Sequence, residues 1–217
     1  MALNILFSRW AKSGAVITGV CVLLLLLTFD ARADETSDKA GQFVHNLADQ
    51  AIGSLTGQNV DQAERNSRFR ELFVANFDVP SLGKSALGRY WQIATPEEQG
   101  EYLKVFEDYV VMTYAGRFRE YTGEKLEVGD VGKAPGGDAI TVKSQLVRPN
   151  GQPPVRIDWR LAIADSSYKI VDVIIEGVSM AQTQRSEFAS VVSRSGGKVA
   201  GLISELREKT KSLHTPQ

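Results

Sequence analysis

The chain has 217 residues, is 43% hydrophobic and 24% charged, and carries a net charge of −1 with one cysteine and two histidines. Such a balance offers no basic excess for nucleic acid. A lone cysteine cannot build a disulfide framework, and two histidines leave few ways to assemble a metal or acid–base centre.

Residues 1–33 have the pattern of a signal peptide. Arg9 and Lys12 precede an apolar run from Ala15 to Leu27, which is shorter than the roughly twenty residues a membrane span needs, and Ala31-Arg32-Ala33 is a small-residue cleavage site. Cleavage is expected after Ala33, leaving residues 34–217 as one domain of ordinary size. Cys21 follows Val20, where a lipoprotein signal would have a small residue, so lipidation is not expected. The remaining chain has no cysteine, and acidic residues outnumber basic ones by three. Its stability must come from a packed core.

Thr36 to Leu55 reads as a first helix, with Phe43, Leu47, Ala51 and Leu55 spaced by four. His45 on it is expected to be solvated rather than catalytic. Asp61 caps a second helix running to about Asn76, whose Phe69, Leu72 and Phe73, with Phe77 just beyond, form a wide apolar stripe suited to core and pocket wall alike. Gly83-Lys84-Ser85 resembles the end of a phosphate-binding loop, but Asp78 stands where the motif needs its first glycine. Nucleotide binding is rejected. Pro80 instead opens a short helix ending near Gly88. Thr95-Pro96-Glu97-Glu98 is a complete helix start with a capping box. The helix should run from Pro96 to about Tyr121, roughly 38 Å at 1.5 Å per residue, with Leu103, Phe106, Val110, Tyr114 and Phe118 along one side.

The strands follow. Glu124 to Val128 is a short first strand, and residues 129–137, rich in glycine, form a mobile loop. Ile140 to Leu146 alternates weakly. After turn chemistry at Arg148 to Pro154, Val155 to Ile163 alternates strongly, with Arg156, Asp158 and Arg160 on the wet face. Tyr168 to Ile175 is apolar on both faces, so both should be covered. Gly177-Val178-Ser179-Met180 turns into a helix capped by Ser179 with Phe188, Val191 and Val192 inward. Ser195-Gly196-Gly197 breaks it before a last helix, Lys198 to Leu213, carrying Leu202, Ile203 and Leu206. The fold class is α+β: a twisted antiparallel sheet of about four strands enclosed by about six helices, with an apolar seam between them.

Chemistry is scarce by comparison. No histidine-rich metal spacing, nucleophile elbow or dinucleotide fingerprint occurs in the sequence. Asp158 and Asp172 fall on adjacent strands, but Asp158 lies between two arginines and reads as part of a surface ion-pair ladder. The excess of apolar and aromatic side chains on both sides of the seam fits a carrier of a hydrophobic molecule, or a non-enzymatic structural or adaptor protein of the cell envelope in which the same faces pack together without a cavity, better than an enzyme.

Several stretches resemble a known family. Arg89-Tyr90-Trp91 before Ala94-Thr95-Pro96, Tyr114-Ala115-Gly116, the segment Pro149-Asn150-Gly151-Gln152-Pro153-Pro154-Val155-Arg156-Ile157-Asp158-Trp159, and above all Glu176-Gly177-Val178-Ser179-Met180 look like the MlaC, or toluene-tolerance, family of ABC-transport auxiliary components. The resemblance runs from about residue 36 to 210. A hopanoid-biosynthesis-associated paralogue, HpnM, is similar in the same places. The resemblance implies a strongly twisted sheet, a deep apolar pocket and a bound phospholipid (or a hopanoid-like lipid) with its head group in water. It further implies a periplasmic shuttle between an outer-membrane lipoprotein complex and an inner-membrane ABC transporter with its lipid-binding ring. No cofactor, metal or catalytic residue comes with it. On that basis the expected lipid-binding residues are Phe106, Val110, Tyr114 and Phe118 of the long helix, Val142, Leu146, Ile157, Trp159 and Ile174 of the sheet, and Val178 and Met180 of the exit turn, with Arg89, Arg117 or Arg119 meeting a phosphate.

Overall fold

A computed structural model describes residues 37–57, 59–134, 139–149, 151–164 and 167–214. The expected signal peptide and its cleavage after Ala33 lie outside the described residues. Contacts divide the chain after Lys39, and Ala40–Gln217 form the body considered below.

Helix α1, described over 37–55, is followed by α2 (Gln62–Asn76) and α3 (Val79–Leu87) and, after a 3-10 turn at Gly88–Gln92, by α4 (Pro96–Tyr114). A second 3-10 turn, Ala115–Glu120, leads into β1 (Lys125–Lys133), β2 (Ile140–Val147), β3 (Val155–Ala164), β4 (Ser167–Ile175) and the short β5 (Val178–Ser179); α5 (Met180–Arg194) and α6 (Val199–His214) close the chain. The sheet is an antiparallel meander in the order β1-β2-β3-β4-β5. The fold is α+β, with one strand more than the sequence suggested.

Local chemistry accounts for the boundaries. Asp61 accepts the Glu64 amide at 2.8 Å and Asp78 the Ser81 amide at 3.0 Å, so each starts a helix. At α4 the Thr95 hydroxyl accepts the Glu98 amide while Glu98 reaches back to the Thr95 amide, the reciprocal box expected from sequence. Between β4 and β5, Glu176 (φ 50°) and Gly177 (φ 81°) are both left-handed, as a two-residue hairpin loop requires.

Two elements differ from expectation. The α-helix ends at Tyr114 rather than Tyr121, and Ala115–Glu120 rewinds to 3-10, which rotates the following side chains off the helix's apolar side. The first strand continues through Gly129 and Gly132 to Lys133, where a loop was expected, because a bulge between Val128 and Val131 absorbs the register shift.

Burial falls into two cores. One is helical: Tyr102, Val105, Phe106, Val110 and Val111 of α4 meet α3, Phe188, Val191 and Val192 of α5, and Leu202, Ile203 and Leu206 of α6. Gly83 gives close approach there: a Cβ would stand 2.6 Å from a Leu103 methyl, which would have to move. The buried Tyr102 hydroxyl donates to the Gly83 carbonyl at 2.9 Å. The glycine that suggested a phosphate loop is a helix-contact residue. The other core lies under α1, where Ala40, Val44 and Leu47 cover Ile140, Val142, Leu161 and Ile170 of the sheet. Phe77 packs against both cores.

Candidate functional site

The same face of β3 that is closed under α1 at Leu161 opens towards the strand's start. Val155, Ile157 and Trp159 there line a cavity of about 680 Å³, joined by Leu126 of β1 and Leu146 of β2. The opposite wall is helical. The last turns of α1 contribute Leu47, Ala48, Ala51, Ile52 and Leu55, α2 contributes Phe69, Leu72 and Phe73, and Phe77 follows at its C-cap. Ala48 and Ala51 present only methyl groups to this space.

Rigid neighbours keep the space from collapsing. Phe69, Phe73 and Phe77 stack along α2 with centroids 6.2 and 5.0 Å apart, and Phe118 meets Phe69 at 6.0 Å. Helix α2 is itself braced. Arg65, 5% exposed, donates from Nε to the Leu55 carbonyl at 2.9 Å and from Nη2 to the Val60 carbonyl at 2.7 Å, and Arg68 donates to the Ser54 carbonyl at 2.7 Å. These guanidiniums take up carbonyls left open at the end of α1, where the helix dipole favours positive charge. On the other flank, Arg70 pairs with Glu107 and Asp108 of α4.

The Trp159 indole Nε1 donates to the Ser144 hydroxyl at 3.0 Å, and that hydroxyl donates to the Ile157 carbonyl at 2.7 Å. The polar edge of the ring is thereby satisfied within the sheet. The polar lining of the cavity gathers at one end, in Arg117, Glu120 and Tyr121 of the segment after α4, Glu124 before β1, and Arg148 after β2. Arg117 and Glu120 are exposed, so this end is the mouth. The backbone N–H of Thr122 donates to Glu124 at 2.8 Å and, with the other amides of that turn, holds the carboxyl below the usual carboxylate range.

Four of the expected site residues line this cavity: Phe118, Leu146, Ile157 and Trp159. The other seven stand elsewhere. Phe106 and Val110 are buried in the helical core with Tyr114 against it, where burial raises the Tyr114 phenol's pKa. A continuous α-helix would have kept Phe118 in their company; the rewinding at Ala115 turns it to the cavity instead. Val142 is fully buried in the core under α1. Ile174 is half-buried and paired with Asp158 and Ser179. Val178 is 54% exposed on the hairpin, and Met180 begins α5. Of the arginines expected to meet a phosphate, Arg117 is at the mouth. Arg89 donates to the Tyr90 hydroxyl at 2.9 Å, and neither Arg89 nor Arg119 lines the cavity.

The expected surface ion-pair ladder is present across the strands, but among the described residues its pairs do not involve Asp158. Arg160 lies 3.7 Å from Asp172 and Arg156 3.4 Å from Glu176. Asp172 is buried, accepting the Ser179 hydroxyl at 2.7 Å and the Ala181 amide at 3.1 Å, so it fastens the start of α5 to β4. Among the described residues no group of three or more His, Cys, Asp or Glu side chains could hold a metal ion, and no helix is long and apolar enough to cross a membrane.

The MlaC protein family matches residues 45–208. This chain belongs to the MlaC family. It is 20% identical over 157 residues to the intermembrane phospholipid transport system binding protein MlaC of Haemophilus influenzae, covering 69% of this chain and 72% of that one. It is 25% identical over 120 residues to the toluene tolerance protein ttg2D of Pseudomonas putida, 55% of each chain. Among solved structures, a phospholipid-binding protein from Ralstonia solanacearum in complex with a phospholipid shares the fold, with a TM-score of 0.71 at 24% identity over 82% of this chain and 99% of that one.

Proposed function

We propose that this protein is a periplasmic phospholipid carrier that holds acyl tails in the cavity between the sheet and helices α1 and α2, and passes lipid between an outer-membrane lipoprotein complex and an inner-membrane ABC transporter with its lipid-binding ring. The observation that carries the proposal is the cavity itself: about 680 Å³, apolar in depth and charged only at its mouth, within a chain of the MlaC family. That volume lies within the roughly 300–1,000 Å³ range of ligand sites. Export fits the signal pattern of residues 1–33.

Energetics support a carrier that needs no fuel of its own. Burying about thirty methylenes at about 0.8 kcal/mol each is worth on the order of 25 kcal/mol against water, but a bilayer offers the tails nearly the same environment. Transfer between membrane and cavity is close to neutral, so direction comes from the partners. The reading assigns no catalytic step to the chain.

Native mass spectrometry and lipid extraction of the purified protein test it. Co-purifying diacyl phospholipid, lost on organic extraction and regained from vesicles, is the expected result. Protein that never carries or acquires lipid would exclude the proposal.

A further inference from the structure

We propose that the mouth of the cavity selects a zwitterionic head group, with the phosphodiester between Arg117 and Arg148 and the ammonium facing Glu120 and Glu124. This rests on lipid being the occupant, as proposed above, and adds which lipid class the site prefers.

The lining is divided by charge. Its four charged side chains all lie at the end where the segment after α4 meets the start of β1 and the end of β2, and the deeper wall is apolar. A lipid whose tails fill the apolar part has its phosphate at the depth of these groups.

Neither cation is neutralised. Among the described residues Arg148 donates to neutral oxygens, to Gln152 Oε1 at 2.6 Å and to the Pro153 carbonyl from Nε at 3.2 Å and Nη2 at 2.5 Å. The Arg117 guanidinium stands 5.7 Å from the centroid of the Tyr114 ring. Among the described residues no carboxylate lies within ion-pair distance of either. Guanidinium groups held by neutral partners keep their full charge for a phosphodiester, whose oxygens they bind with charge-assisted bonds.

The carboxylates make the mouth selective. Glu124 is fixed by the Thr122 amide at 2.8 Å and the Thr122 hydroxyl at 2.9 Å, and Glu120 is exposed beside it in the lining. Among the lining residues two positive side chains balance two negative ones. An anionic head group gains from the arginines and is repelled by the glutamates. A phosphodiester followed by an ammonium gains from both, so discrimination comes as much from repulsion of the wrong lipid as from attraction of the right one.

In the test, purified full chain is stripped of lipid and offered vesicles of equal parts phosphatidylethanolamine and phosphatidylglycerol with matched acyl chains, and bound lipid is read by native mass spectrometry. Because Arg117 and Glu120 are exposed and Glu124 and Arg148 only half-buried, phosphatidylethanolamine should be enriched by about two- to fivefold over the vesicle ratio. Glu120→Gln should bring the ratio towards that of the vesicles without loss of lipid. Arg117→Gln combined with Arg148→Gln should reduce the preference for either phospholipid over a diacylglycerol with the same tails. Circular dichroism checks that each variant is folded. Lipid bound by the wild type at the vesicle ratio, or enrichment unmoved by Glu120→Gln, overturns the head-group inference and leaves the carrier reading standing. Failure to bind any lipid overturns both. Inorganic phosphate titrated alone should bind weakly if at all; tight arginine-dependent binding without lipid discrimination would make this a simple anion site and overturn the inference.

Discussion

At the scale of single residues, the difference between core and cavity comes down to what stands opposite. Val142 and Leu146 lie on the same strand four residues apart, yet Val142 is fully buried against α1 while Leu146 faces the cavity. Ala51 is the corresponding position on the helical side, and its methyl leaves room where a larger side chain would fill it. Ala51→Trp is therefore expected to lower lipid occupancy, read by native mass spectrometry, with little change in the unfolding midpoint. Val142→Trp should do the reverse. It overpacks a closed core, at a cost of about 1–3 kcal/mol, without entering the cavity. Occupancy that falls for Val142→Trp and not for Ala51→Trp would contradict this placement of the wall.

At the scale of elements, much was legible because caps and periodicity are local. Asp61, Thr95 with Glu98, and Ser179 each start a helix where the sequence puts one, and the alternation in β3 reports a strand, although Ile163 at the end of its expected dry face is 63% exposed. What was not legible depends on partners distant in sequence. Nothing local stops α4 at Tyr114 or carries β1 across Gly129, and a side chain's neighbour across the seam, a second core or a cavity, is not written in its own strand or helix. Hence Phe106 and Val110, with a periodicity that also embraced Phe118, went to a different core. The stripe of α2 did signal a wall, through its run of phenylalanines. Its bracing was hidden, because Arg65 reads as an ordinary polar helix residue. Arg65→Ala would leave the Leu55 and Val60 carbonyls without their donor, costing about 2–4 kcal/mol in urea unfolding. Arg65→Lys should recover less than half of it, since one ammonium cannot reproduce the fork that reaches both oxygens. Recovery of full stability by lysine would show that charge alone holds the end of α1.

At the scale of the whole molecule, the cavity is walled by residues of both cores, Phe73 from the helical one and Leu47 from the one under α1. The centre of the helical core packs rings that do not line the cavity: Phe188 meets Tyr102, Phe106 and Tyr109 with centroids 6.2–6.3 Å apart. The core under α1 is smaller, and beyond Leu47 the helix turns Ala48, Ala51 and Ile52 to the cavity before Leu55 packs at its end. Removing an occupant therefore withdraws contacts from one side of the molecule only, and local opening should rise where few apolar contacts remain. Hydrogen exchange compared between lipid-bound and stripped protein should speed up in the second half of α1 and at the mouth ends of β1, β2 and β3. Amides of α4 between Tyr102 and Val111, and those of α5 and α6, should be unchanged. Linkage sets the size of the effect, which grows as RT ln(1 + [L]/Kd) and reaches about 2.7 kcal/mol at a hundredfold excess of free ligand over Kd. Exchange that accelerates equally in the helical core would mean that the two cores open as one unit and that the cavity supports the entire fold.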